Sequence, residues 1–136
     1  MIERYCYVPD SGGAGKFRGG LALIRQYRFL AEEGILQLRT DRRAHLPYGL
    51  QGGRDGTPSM NPLWRDGKMR ELPAKCRLTI RQGDVFRHVL GGAGGWGNPA
   101  ERDPAHIVRD IAEGKLSAEY ASREYGIPWI RHCRRS

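Results

Sequence analysis

Asp10-Ser11-Gly12-Gly13-Ala14-Gly15-Lys16-Phe17-Arg18-Gly19-Gly20 sets five glycines into eleven residues. Glycine loses more freedom on ordering than any other residue, so neither a helix nor a regular strand is favoured here. The stretch predicts a long loop, and its flanks predict strands. Residues 2 to 8, Ile-Glu-Arg-Tyr-Cys-Tyr-Val, have the β-branched and aromatic composition of a short strand. Leu21 to Leu30 fits either period. Tyr27, Phe29, the preceding glycines and a Glu33-Gly34 turn before Ile35 to Arg39 decide for a β-hairpin.

Further out, Thr40 to Pro73 is dense in turn chemistry, with Gly52-Gly53, Asp55-Gly56-Thr57-Pro58 and Asn61-Pro62. It reads as a long functional or interface loop with room for one short strand. Cys76, Leu78 and Ile80 then alternate with Arg77, Thr79 and Arg81, the pattern of a half-buried strand. Gln82-Gly83-Asp84 turns the chain into another strand over Val85 to Leu90. A second glycine cluster follows, Gly91 to Gly97, and Asn98-Pro99 predicts that no helix starts there. Asp103 as N-cap, Pro104 at the first helical position and Gly114 as C′ delimit a helix with Ile107, Val108 and Ile111 on its apolar face. Ser117 caps a second helix through Tyr125, closed by Gly126 and Pro128. The expected fold class is α+β: β-rich with long Gly-rich loops and a C-terminal pair of short helices. The expected division is a β-rich segment over 1–102, a helical hairpin over 103–126 and a basic tail over 127–136.

The apolar stock is small. Leu, Ile, Val and Phe make up 27 of 136 residues, near the fifth below which disorder is favoured. So thin a core predicts that a partner lends part of the packing and excludes a large autonomous enzyme. No run approaches the roughly 18 apolar residues of a membrane helix, and Met1-Ile2-Glu3-Arg4 lacks the cationic start of a signal peptide. Cys6, Cys76 and Cys133 are odd in number and far apart, which argues against a disulfide framework or a zinc ribbon. The expectation is a cytoplasmic chain without membrane attachment. Its net charge of +8 comes mainly from arginine, scattered except for Arg131, Arg134 and Arg135 in the tail; scatter of this kind argues less for nucleic acid than a stripe would.

Each familiar motif is incomplete. A phosphate-cradling P-loop would need Gly at position 10 and Ser or Thr at position 17, where Asp10 and Phe17 stand. Asp10-Ser11-Gly12-Gly13 resembles a protease nucleophile segment, but His45, His88, His106 and His132 lie in no base context. Gly92, Gly94 and Gly97 spell G-x-G-x-x-G, yet Asn98-Pro99 forbids the helix whose N-terminus would face a pyrophosphate. The pairs Asp41/His45 and Asp103/His106 fall short of the three or four convergent donors a metal needs. Arginine with Trp64, Trp96 and Trp129 leaves a basic nucleic-acid-binding module as the alternative reading.

Taken together, the landmarks resemble one family. The 10–20 stretch, continued by Leu21-Ala22-Leu23-Ile24-Arg25, is similar to the D-S-G-G-x-G-x-x-R-G-G segment of the hydantoinase B / 5-oxoprolinase family. Asp41-Arg42-Arg43, Pro47-Tyr48-Gly49-Leu50, Gly52-Gly53, Glu71-Leu72-Pro73, Gly83-Asp84, Gly91 to Gly97, Asn98-Pro99, Arg102-Asp103-Pro104 and Tyr125-Gly126 follow in the family's order. The second glycine loop departs from it: Leu90 stands for the usual Pro, Ala93 interrupts the glycines, and Trp96 and Asn98 replace the usual aromatic and Asp.

The resemblance implies the closing portion of a B-type subunit that is several times longer. It implies ATP-dependent ring opening of cyclic amides such as 5-oxoproline or hydantoins, with related carboxylases acting on acetone or acetophenone. An A-type partner would use ATP to phosphorylate the amide oxygen, and the B-type subunit would hold a metal-activated water. The divalent metal's ligands would lie in the upstream half, so this chain is expected to bind no cofactor itself, to act with that half and the A-type subunit, and to be inactive alone. Substrate or subunit contacts are expected at Asp10, Ser11, Gly12, Gly13, Gly15, Arg18, Gly19 and Gly20 in the first loop. In the second they are expected at Gly92, Gly94, Gly95 and Gly97. Arg18 is singled out because a guanidinium presents a forked donor to an acidic group or a substrate anion.

Overall fold

Alternation from Lys75 to Arg81 gives a strand whose Cys76, Leu78 and Ile80 turn inward while its basic residues face solvent. The structure is a computed structural model and describes residues 1–128. Seven strands run in chain order: β1 (Ile2–Tyr7), β2 (Leu23–Arg28), β3 (Glu33–Arg39), β4 (Pro62–Arg65), β5 (Lys68–Glu71), β6 (Lys75–Arg81) and β7 (Val85–Val89). They build a five-stranded sheet in the order β1-β2-β7-β4-β5 and a two-stranded sheet of β3 and β6. A 3-10 turn (Pro99–Glu101) leads to α1 (Pro104–Ala112) and α2 (Ala118–Tyr125). The class is α+β, β-rich with two short helices, as the sequence predicts. The expected tail lies outside the described residues from Trp129 onward, and Cys133 with it.

Several expectations need correction. β2 and β3 form no hairpin, because β1 and β7 take both edges of β2 and β3 pairs with β6 instead. Glu33 and Gly34 stand inside β3 rather than in a turn; the Phe29 ring lies so close that a Cβ at Gly34 would sit 2.6 Å from it. The Thr40–Pro73 stretch holds two strands, a hairpin of β4 and β5 whose turn uses Asp66 and Gly67 at positive φ. Asn98-Pro99 does start a helical element, if only a 3-10 turn, with the Asn98 side chain accepting from Ala100 N. Prolines are tolerated in a first turn, where the missing N–H has no partner to lose.

The two sheets pack over Leu38, Leu63, Leu72, Ile80 and Phe86, the main apolar cluster. With so few members each counts. Leu63 is fully buried, and Leu63→Ala is expected to cost about 2–5 kcal/mol, read from the denaturant midpoint of the purified chain. Asp84 ties the sheets together: it accepts from Arg65 of β4 and from the Arg81 backbone at the end of β6. The Arg65 guanidinium holds its carboxyl below the usual range despite burial.

The helices follow their capping residues. Asp103 accepts from Ala105 N, and Ser117 accepts from Tyr120 N. Gly114 and Gly126 take the left-handed φ that ends each helix. Ile107 packs with Leu116 and Ala121, and Ile111 lies against them. Val108 does not join this face and is exposed, since one residue on from Ile107 is a rotation of about 100° around the helix.

Candidate functional site

Three extended segments meet beside the five-stranded sheet, and glycine lets them meet. The first stretch folds back on itself, with Gly19 N donating to Gly13 O at 2.9 Å. The second glycine stretch lies against it: Gly13 N donates to Ala93 O, Ala93 N to Gly20 O, and Phe17 and Trp96 exchange both backbone bonds, each at 2.9 Å. Residues 47 to 57 close the bundle, through Arg54 N to Ala14 O at 2.7 Å and Gly95 N to Arg54 O and Leu50 N to Gly95 O at 2.9 Å. Backbone packs on backbone. A Cβ at Gly92 would overlap the Ser11 carbonyl, and one at Gly95 would overlap the carbonyl of Ala14.

All twelve residues expected at the site gather in or beside this bundle, and residues 11 to 15 are buried. Ser11 is spent structurally: its hydroxyl donates to Val8 O and accepts from Ala22 N. Asp10 has a left-handed backbone and its carboxylate accepts from Ser117 N at 2.7 Å, fastening the turn between α1 and α2 to the start of the stretch. Tyr120 of α2 donates to Gly12 O at 3.0 Å. Burial above all, with Tyr125, Glu124 and Asp10 adding, pushes its hydroxyl up to about 12, so it remains a donor throughout the neutral range.

Arg18 finds its acidic group inside the chain. Its Nε and Nη2 donate to the two Asp110 oxygens at 3.0 and 3.3 Å, and its Nη1 donates to Gly19 O at 2.7 Å. Arg102 reaches Asp110 Oδ2 at 2.7 Å and Lys16 O at 3.3 Å. The side chains of this Arg–Asp–Arg group are 14%, 8% and 9% exposed. Burial alone would raise the Asp110 pKa, but the two guanidinium groups lower it below the usual carboxylate value. Sequence reasoning missed Asp110 and Arg102 as partners of Arg18. It also read residues 47 to 57 as turns, although Gly49, Gly53 and Gly56 were the signal of a third packed segment.

Beside the bundle lies an open polar cleft of about 690 Å³, with Asp10, Arg54, Asp55, Glu119, Arg123 and Glu124 among its walls. Among the described residues no three His, Cys, Asp or Glu side chains converge as a metal would require. The Asp103/His106 pair is accounted for by the Asp103 cap. Among the described residues, no helix is long and apolar enough to cross a membrane.

Residues 1–99 match the family described as hydantoinase B/oxoprolinase. The chain belongs to that family. It is 37% identical over 131 residues to an uncharacterized protein of Methanocaldococcus jannaschii, covering 96% of this chain and 23% of the relative. It is 32% identical over 130 residues to the putative B-type subunit of a D-/L-hydantoinase from a Pseudomonas species, covering 93% of this chain and 22% of that one. The chain therefore spans less than a quarter of the length of these curated relatives. A crystal structure of the ATP-dependent caprolactamase from Pseudomonas jessenii superimposes with a TM-score of 0.81 at 28% identity, over 96% of this chain and 24% of that one. A nucleotide-free acetone carboxylase structure shares the fold, with a TM-score of 0.82 at 16% identity.

Proposed function

We propose that the chain is the closing portion of a hydantoinase B-type subunit and contributes to ATP-dependent hydrolysis of a cyclic amide, such as 5-oxoproline, a hydantoin or a lactam. The observation that carries this reading is the family match over 1–99, on a chain that lies across less than a quarter of a relative named as a hydantoinase subunit. In this reading an A-type partner handles ATP in the cytoplasm. A divalent metal, held by residues outside this stretch, supplies the activated water. The chain's own residues supply shape: in the glycine bundle three backbone segments pack directly on one another with Phe17 and Trp96 exposed on it, and Arg18, Asp110 and Arg102 lock α1 onto it.

Inactivity alone and activity in company are the expected results. The purified 136-residue chain is expected to release no phosphate from ATP and to open none of the three ring types. Co-expression with an A-type subunit and the unmatched part of a B-type subunit is expected to yield ADP coupled to ring opening. Turnover by the isolated chain would overturn the reading.

A further inference from the structure

The five-stranded sheet has one face on which only half the residues are covered. The register puts Ile2, Tyr5 and Tyr7 of β1, Leu23, Arg25 and Tyr27 of β2, and Phe86 and His88 of β7 on that face. Phe86 packs under β3 and β6. At the other end nothing among the described residues covers β1: Ile2, Tyr5 and Tyr7 are 62%, 59% and 66% exposed, and β1 is an edge strand. Three large apolar or aromatic side chains in a row on an open edge are what a free sheet normally avoids.

A cation stands in the middle of this face. Arg25 lies directly between Tyr5 and His88 in the register, with its guanidinium carbon 5.4 Å from the centre of the Tyr5 ring. Its Nε is shielded from solvent and has no acceptor, and none of the ion pairs among the described residues involves it. His88 offers no counter-charge, being engaged with Asn61 Oδ1 at 2.9 Å. A half-buried guanidinium with no anion is costly unless a partner supplies one.

Resting on the subunit reading above, we infer that this face seats the rest of the B-type subunit, which covers Ile2, Tyr5 and Tyr7 with apolar groups and brings a carboxylate to Arg25. The occupant follows from length and charge. More than three quarters of each relative lies outside the matched region, and a chain of net charge +8 with an unpaired central Arg selects an acidic contact. A second copy is a poor occupant, since a two-fold pairing would set one Arg25 against another. A nucleic acid would want a stripe of cations here, and the row offers the single guanidinium of Arg25.

The test uses the β-subunit of Pseudomonas jessenii caprolactamase with its matching region deleted, co-expressed with this chain. Nitration by tetranitromethane, read by mass spectrometry, is expected to modify Tyr5 and Tyr7 in the isolated chain and to lose both signals in the complex. Arg25→Glu is expected to weaken association about tenfold or more, with the circular dichroism of the isolated variant checking its fold. Assembly with Tyr5 and Tyr7 still nitrated would overturn this inference and leave the subunit reading standing. Failure of the wild-type chain to associate would count against the subunit reading itself. Protection of the same tyrosines by self-association, or by a mixed oligonucleotide, would give the face to a different occupant and overturn the inference.

Discussion

Gly92→Ala is expected to destabilise the chain by at least about 3 kcal/mol, toward or beyond the upper end for an overpacked site, whereas Gly20→Ala is expected to be nearly neutral. The two glycines belong to the same bundle and differ in what faces them. A methyl at Gly92 would collide with the Ser11 carbonyl, and Ser11 cannot retreat because its own carbonyl accepts from Thr57 and its hydroxyl is bonded on both sides. At Gly20 the nearest atom to such a methyl is the Ala93 Cβ at 3.9 Å, an ordinary contact.

A third variant separates packing from backbone preference. Gly67 has φ of +71° in the β4–β5 turn and open space around it, so Gly67→Ala should cost only the left-handed penalty of about 1–2 kcal/mol. Thermal melts of the three variants against the parent would rank them Gly92, Gly67, Gly20. Equal losses at Gly92 and Gly20 would mean that the bundle yields and that glycine's role there is flexibility.

The same contrast explains what can be read from the residues alone. Local chemistry is legible: Asp103 and Ser117 cap their helices, Gly114 and Gly126 end them, and the Cys76–Ile80 alternation makes a strand with the correct face inward. Pairing is less so. Strands β2 and β3 are neighbours in sequence, but nothing in either reveals that β1 and β7 already hold both edges of β2. The glycine runs are visible as loops. That residues 47 to 57 join them is hidden, because glycine permits a close backbone approach as readily as a turn and carries no side chain whose periodicity would distinguish the two. Arg18 stands out for its fork, while Asp110 is hidden in what reads as the polar side of α1.

Asp110→Ala carries the other large expected effect, a loss of about 3–5 kcal/mol, because it leaves two buried guanidinium groups without their anion. Arg18 and Arg102 would then face each other as like charges next to the Gly19 and Lys16 carbonyls they also hold. Asp110→Asn keeps the shape and one acceptor oxygen, so it should lose less. The pH dependence has a definite sign. Arg18 and Arg102 depress the Asp110 pKa in the folded chain below its ordinary value of 3.8, so the folded state binds this proton less readily than the unfolded state does. The stability this supplies is fully present at pH values above 3.8 and drains away as the pH falls through the lower, folded value. Melting curves of the parent should therefore steepen their decline with acid below that point, and the Asp110→Asn variant should lack that part of the slope. If parent and variant lose stability in parallel through this acid range, the Arg–Asp–Arg group is not what fastens α1 to the first glycine stretch.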